Sequence, residues 1–443
     1  MANKKSSKKS GAKSVFVFSK LRFIIFIIIA AALGVSMLFG TQIENMYQKM
    51  VGHVNVIQST EIRDNSKLSV HYVNVGQGDC IMLNLPDGKN MIIDAGQKNG
   101  STPIYATQTE SNDKAITKHA IDYAKANIIQ EGQKFDYMVL THAHEDHVSM
   151  LDNFLDEFEV GTIVRSPEFY QSDKDATLTA KESALAAATG VTLKENYNIV
   201  STGVMRTFLN KAYDEPGATM LVTNSSIVFS GKDDENNDYT IKFYTILESE
   251  YYNPTDNGLK NNPNNYSPLI VLTYKEFTFA FTGDGEKRSE ELIMARYGDA
   301  LPNVDFMDLA HHGSKTGNIQ TFIDKLDPEY AIVSVGDHKI YGLPDEEVYE
   351  RLKQHDAEIA NRTFETIKYG DIVIGLNYTP SADADGDTLA SGSNMAIGIS
   401  SGEYIPETTI KWWYIALGLI VLAAVVLFLK PKTSKKVIKK MSK

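Results

Sequence analysis

The chain has 443 residues, 43% hydrophobic and 23% charged, which excludes a wholly disordered polypeptide and suffices for one large domain. Its one cysteine, Cys80, excludes an internal disulfide and a four-cysteine zinc site. The net charge of -12 is unevenly spread: residues 1–22 hold seven Lys or Arg and residues 430–443 hold seven Lys, with no acid in either stretch. Taking those fourteen from the 44 Lys and Arg leaves 30 against 56 Asp and Glu in between, a field that does not attract nucleic acid over long range.

In chain order, residues 1–20 read as a basic tail and 21–40 as an apolar run. Twenty helical residues reach about 30 Å, the thickness of a hydrocarbon core, so this run predicts a transmembrane helix, with a cleaved signal peptide as its rival. A second run, 412–429, opens with Trp412, Trp413 and Tyr414 and is followed by a basic tail over 430–443. Basic flanks before the first run and after the second predict cytoplasmic termini, an extracellular middle and a cell-membrane location, with lipid as a partner through both helices.

Between the runs, 41–66 reads as a juxtamembrane stem. Strands are expected at 68–75, 80–85, 91–93, 137–140, 161–164, 227–230, 239–246, 269–274, 277–282, 305–309 and 330–335. Helices are expected at 116–129, where apolar residues recur at helical spacing, and at 146–158, 180–188, 289–296, 320–326 and 345–354. Hairpins combined with alternating strands and helices predict an α/β (α+β) fold, an αββα sandwich of two mixed sheets over 67–379. Residues 166–266 read as an insert region, and 380–411, rich in Ser, Gly, Ala, Asp and Glu, as a flexible linker.

The decisive segment is Leu140-Thr141-His142-Ala143-His144-Glu145-Asp146-His147. A loop at a strand end can curl so that alternate side chains converge. His142 and His144 then hold one metal, and Asp146 and His147, at the start of the next helix, a second. Imidazole and carboxylate ligands suit zinc, with two ions expected and manganese or iron as alternatives. Asp94, in Asp94-Ala95-Gly96, is placed to accept a hydrogen bond from a metal-bound histidine. Asp284, just past an apolar strand, is placed to bridge two metals. In Ala310-His311-His312-Gly313-Ser314-Lys315 one histidine completes the second metal position, His311 favoured and His312 the alternative; Ser314 and Lys315 are candidates to contact a substrate anion. Metal lowers the pKa of bound water and makes hydroxide available, and Asp146 and Asp284 are the candidate catalytic carboxylates around it.

These residues resemble the metallo-β-lactamase superfamily, and within it most of all the hydrolase domain of competence-type DNA-uptake channel proteins. The resemblance rests on Asn74-Val75-Gly76-Gln77-Gly78-Asp79-Cys80, Thr141 to His147, Asn265-Tyr266-Ser267-Pro268-Leu269, Thr282-Gly283-Asp284, His311-His312-Gly313-Ser314 and Tyr341-Gly342-Leu343-Pro344. It implies the αββα fold, the same metal motif and Asp284 as the bridging aspartate. Two features depart from the pattern. No histidine stands near 163–169, where the superfamily often has one, and Leu343 stands where those relatives usually have histidine. A role in DNA import does not carry over to a chain with at most two apolar runs.

Superfamily precedent points to a membrane-anchored extracellular hydrolase of phosphodiesters. Its substrate would be a phosphate-containing small molecule or an envelope polymer; nucleic acid is disfavoured by the acidic middle. A hydrolase of lactone, amide or thioester bonds is the second expectation. A surface binding or scaffold protein with a retained metal-binding fold is the third.

Overall fold

The structure is a computed structural model and describes residues 56–98, 112–130, 132–190, 199–246, 262–337, 341–377 and 395–400. Its strands, in chain order, are β1 (Val56–Gln58), β2 (Leu68–Tyr72), β3 (Ile81–Asn84), β4 (Asn90–Ile93), β5 (Phe135–Val139), β6 (Val160–Arg165), β7 (Phe169–Tyr170), β8 (Ile199–Val200) and β9 (Thr219–Val222). They continue with β10 (Val228–Lys232), β11 (Asp238–Tyr244), β12 (Leu269–Tyr274), β13 (Phe277–Phe281), β14 (Phe306–Asp308), β15 (Tyr330–Val333), β16 (Thr363–Glu365), β17 (Ile372–Leu376) and β18 (Met395–Ile399).

Two mixed sheets result. One runs β1-β18-β17-β2-β3-β4-β5-β6-β9, the other β10-β11-β12-β13-β14-β15-β16. Both contain the same run of pairings. From β17 to β4, and from β10 to β13, neighbours are antiparallel; from β4 to β9, and from β13 to β16, they are parallel. Short turns join the antiparallel strands, whereas the parallel ones need crossovers, and helices supply them. The loops at the C-terminal ends of β4 and β5 in one sheet, and of β13 and β14 in the other, carry the candidate site.

Burial explains why the sheets stack. Alternate residues of β2, β3, β12 and β13, such as Val70, Tyr72, Leu83, Ile270, Leu272, Phe279 and Phe281, belong to one buried cluster. Phe306 stacks on Phe279 at 4.5 Å and on Tyr330 at 5.0 Å between ring centroids, extending that core along the second sheet. Ile92 and Met138, on the other side of the first sheet, pack with Ile116, Ala120 and Ala124 of helix Asn112–Asn127, and with Phe154 and Phe208 of helices Leu151–Glu157 and Gly203–Asp214. Helices Lys287–Tyr297, Gln320–Leu326 and Glu346–His355 cover the second sheet through Ile293, Phe322, Val348 and Leu352. The layers are therefore helix, sheet, sheet, helix.

The membrane-anchored version of this fold is corrected. Among the described residues no helix is long and apolar enough to cross a membrane. The longest of them, Asn112–Asn127, has 16 residues, about 24 Å, and buries one side only. The runs expected to span, 21–40 and 412–429, lie outside the described residues. The described residues therefore give no support to transmembrane helices, lipid as partner, extracellular placement or cytoplasmic termini.

Three other expectations differ. Met395–Ile399, inside the stretch read as a linker, is strand β18, paired antiparallel with β17 and parallel with β1. Within the expected stem, helix Ser59–Asn65 docks Ile62 against Val373 and Ala396. The expected insert region contributes β9, at one edge of the first sheet, and β10 and β11, at one edge of the second.

Candidate metal centre

Four loops meet where parallel strands end. Asp94 follows β4, and its backbone N–H donates to Val139 O of β5 at 2.8 Å. After β5 the chain runs through Thr141, His142, Ala143 and His144 into the short helix Glu145–Val148, which presents Asp146 and His147. Thr282, Gly283 and Asp284 follow β13; His311 and His312 follow β14, and His311 N–H donates to Gly283 O at 3.0 Å. Glycine is required at Gly283, which has φ +49°: a Cβ there would lie 3.0 Å from Ser267 Oγ and from Thr141 Oγ1.

Asp284 sits between two sets of side chains. Its Oδ2 lies 3.5 Å from His142 Nε2 and 3.8 Å from His311 Nε2. Its Oδ1 lies 3.0 Å from His147 Nε2 and 3.7 Å from His312 Nε2. Ligand atoms of His142, His144 and Asp284 lie within 4.8 Å of one another, and so do those of Asp146, His147, Asp284 and His312. Asp146 spans the second set, with Oδ2 3.2 Å from His312 Nε2 and Oδ1 4.0 Å from His147 Nε2.

The rings are held from behind. His147 Nδ1 donates to Asp94 Oδ2 at 2.7 Å, and Asp94 also accepts from Thr141 N–H and Oγ1. His312 Nδ1 donates to the Ser334 carbonyl at 2.8 Å. His142 Nδ1 faces Thr141 Oγ1 at 3.1 Å and Ser267 Oγ at 3.3 Å. With Nδ1 engaged as donor, a neutral ring offers its Nε2 lone pair forward.

Two of those three forward atoms make no hydrogen bond, whereas His312 Nε2 meets Asp146 Oδ2 at 3.2 Å. His142 Nε2, His147 Nε2 and Asp284 Oδ1 are buried without a hydrogen bond. Orphaned polar atoms cost about 1–3 kcal/mol each, so convergent lone pairs on imidazole and carboxylate fit a divalent cation. The electrostatics agree. Burial opposes the imidazolium form of His147, but Asp284 and Asp94 outweigh it and hold its pKa well above the usual range. For His312, Asp284, Asp146 and Asp79 likewise outweigh burial. Burial, then the His147 charge, holds His142 well below its ordinary value. Burial favours the neutral form of Asp284, yet the facing histidines hold its pKa well below that of a free carboxylate. A cation bound between the rings would take the place of those protons.

The structure brings together His142, His144, Asp146, His147, Asp284, His311 and His312, with Asp94 behind them. It does not bring Lys315 to the cluster: its Nζ lies 3.5 Å from Asp345 Oδ1 and the side chain is 57% exposed. Ser314 Oγ faces Thr316 Oγ1 at 3.1 Å. Three residues escaped the sequence reading of the site. Asp79 Oδ1 lies 3.5 Å from His312 Nδ1, and its Oδ2 lies 3.8 Å from His147 Nδ1; its signals are a carboxylate after a Gly-Gln-Gly turn and its place in the Asn74–Cys80 motif. Glu286 Oε1 lies 3.5 Å from His311 Nδ1. Glu168, just past β6, accepts from Ala143 N–H at 2.8 Å and so clasps the turn between His142 and His144. Burial pushes its pKa up to about 7, against the hydrogen bonds from Ser166 and Ala143.

Residues 73–218 match the family described as the metallo-beta-lactamase superfamily. The chain has the metallo-β-lactamase superfamily fold. Among curated proteins it is similar to ComE operon protein 3 of Bacillus subtilis, 24% identical over 67% of this chain and 32% of that protein. It is also similar to competence protein ComA of Neisseria gonorrhoeae, 35% identical over 27% of this chain and 16% of that protein. The chain thus spans about a third or less of the length of these relatives, and the homology to competence-associated proteins is distant and partial. Among solved structures, CmlA, a diiron beta-hydroxylase from Streptomyces venezuelae, is 11% identical, with 70% of this chain and 54% of that one covered and a TM-score of 0.38. Superfamily fold and ligand clusters together support a metal-dependent hydrolase.

Proposed function

We propose that the chain hydrolyses phosphodiester bonds with a pair of divalent ions, zinc foremost. The observation that carries this is the position of Asp284, one oxygen towards His142 and the other towards His147 and His312. A shared carboxylate between two ligand sets suits two ions about 3.5–4 Å apart, the spacing of clamps that stabilise both the attacking and the leaving oxygen of a phosphoryl group. His142 and His144 would hold one ion, Asp146, His147 and His312 the other. Bound ions supply an acidified water as nucleophile and offset negative charge growing on the phosphoryl oxygens.

The chain's own residues do the rest. Asp94, Ser334 and Thr141 orient the rings, and Glu168 keeps the His142–His144 turn in shape. Asp146 is a quarter exposed in its side chain, so its carboxylate would be open to accept a hydrogen bond from the attacking water. The net charge of -12 favours a compact phosphodiester over a long polyanion.

The test is a rate comparison on the full chain purified without chelator. Bis-p-nitrophenyl phosphate, a p-nitrophenyl carboxylate ester, a lactone and a thioester are assayed before and after EDTA and again after zinc is restored. The proposal expects phosphodiester turnover that EDTA abolishes and zinc restores. Metal-dependent turnover confined to the lactone, the thioester or the carboxylate ester overturns it.

A further inference from the structure

We propose that His311 and His312 both ligate, one on each side of Asp284, so that His311 completes the His142–His144 set. This deepens the two-ion reading above and rests on it. The sequence leaves the pair as alternatives for one metal position. The backbone removes that restriction. His311 has φ 54°, ψ 45° and His312 φ 55°, ψ 33°, two successive residues in the left-handed region. That conformation costs about 1–2 kcal/mol per residue, and the surroundings hold it in place. Asn318, buried, accepts from Ala310 N–H at 2.9 Å and donates to Ala310 O at 2.8 Å and Ser314 O at 3.1 Å, bracing the turn from both ends.

The result is a division of labour at one carboxylate. His312 Nε2 lies nearer Asp284 Oδ1, on the His147 side; His311 Nε2 lies 3.8 Å from Asp284 Oδ2, the oxygen that also faces His142. His311 is backed as the other ligand rings are. Its Nδ1 lies 3.0 Å from Thr316 Oγ1 and 3.5 Å from Glu286 Oε1, and Glu286 is itself fixed by Asn262 and Asn264. Thr316 Oγ1, able to accept from Nδ1–H, leaves Nε2 to face forward, while the Asn264 amide nitrogen also lies 3.3 Å from Nδ1. Without His311, His142 and His144 have, among the described residues, only Asp284 grouped with them. Residues 163–169 offer no histidine, and Glu168, whose Oε2 accepts from Ala143 and Ser166, joins none of the ligand groups among the described residues. A small inward movement of the partly exposed His311 ring gives this set the four side chains of the other.

Metal content tests the idea without reference to turnover. The full chain and the variants His311→Ala, His312→Ala, His142→Ala, His142→Ala/His311→Ala and His142→Ala/His312→Ala are loaded with zinc, dialysed, and measured for bound metal and for affinity against a competing chelator. His311→Ala is expected to weaken one ion at least tenfold and leave the other as tight as in the unsubstituted chain, which also reports a folded site. Adding His311→Ala to His142→Ala is expected to remove nothing more, because both act on one ion; adding His312→Ala removes the second. Glu286→Gln is expected to weaken the same ion as His311→Ala by about 10-fold. Two ions bound with unchanged affinity in His311→Ala overturn the inference, as does loss of both ions from the His142→Ala/His311→Ala variant. No zinc on the unsubstituted chain overturns the two-ion reading and this inference with it.

Discussion

His147 Nδ1 donates to Asp94 Oδ2 at 2.7 Å, and that bond determines which nitrogen His147 turns towards Asp284. Asp94 is fully buried and accepts three hydrogen bonds, two from Thr141 and one from His147. Asn in its place carries a donor where only acceptors are wanted. Asp94→Asn is expected to lower metal affinity by about 10–100-fold and stability by about 1–3 kcal/mol. Chelator competition and urea unfolding measure the two effects; unchanged affinity would remove Asp94 from the site.

Gly78 bears on Asp146 through backbone alone. It has φ +132°, and a Cβ built there would lie 2.3 Å from the Asp146 carbonyl oxygen. Gly78→Ala is expected to displace the Glu145–Val148 helix and to cost more than about 2 kcal/mol. Gly88→Ala is the control, since Gly88 also has positive φ, +81°, but nothing lies within 4 Å of its Cβ position. Its cost should stay near ~1 kcal/mol. Equal urea midpoints for the two variants would show that the close approach to Asp146 does not matter.

His71 makes stability depend on acid. It is buried between Tyr123 Oη at 2.8 Å and Ser69 Oγ at 2.7 Å, and burial, with Arg63 adding to it, pushes its pKa down to about 3 from an ordinary 6.5. Between those values the unfolded chain binds a proton that the folded chain refuses. The contribution of His71 is therefore complete above pH 6.5 and lost as pH falls towards 3, by up to ~1.4 kcal/mol per pH unit. Urea midpoints at pH 7 and pH 5 should fall further apart in the natural chain than in His71→Gln. A larger gap in the variant would contradict the assignment.

Phe306 tests the inter-sheet core. It is fully buried and stacks on both Phe279 and Tyr330. Phe306→Ala is expected to cost about 3–5 kcal/mol in urea unfolding. A loss below about 1 kcal/mol would show that the second sheet closes on itself without that ring.

Much of this was legible from residues alone, for a physical reason. Strands end in loops, and a carboxylate or imidazole just past an apolar run projects from the sheet edge; Asp94, His142, His144 and Asp284 follow that rule, whereas the sequence favours His311 for the position beside Asp146 and His147 and the structure groups His312 with them. What the sequence hid was backbone geometry. Nothing in the letters His311-His312 says that both residues turn left-handed and face one carboxylate. Asp79 and Glu286 act from behind the rings, where their roles depend on distance rather than motif. The strand Met395–Ile399 was lost in a composition rich in small residues. Glycine is needed nearby too, since a Cβ at Gly375 of β17 would lie 2.1 Å from Ser66 Oγ. Helix Gly203–Asp214 was missed although Met205, Phe208, Leu209 and Ala212 keep helical spacing and Thr202 caps its start.

Anomalous scattering at the zinc edge, from crystals of the full chain grown without chelator, tests the central claim most directly. Two peaks are predicted on opposite sides of the Asp284 carboxylate, one beside His142 and His144, the other beside Asp146, His147 and His312. No peak at Asp284, or a single one away from both histidine sets, would contradict it.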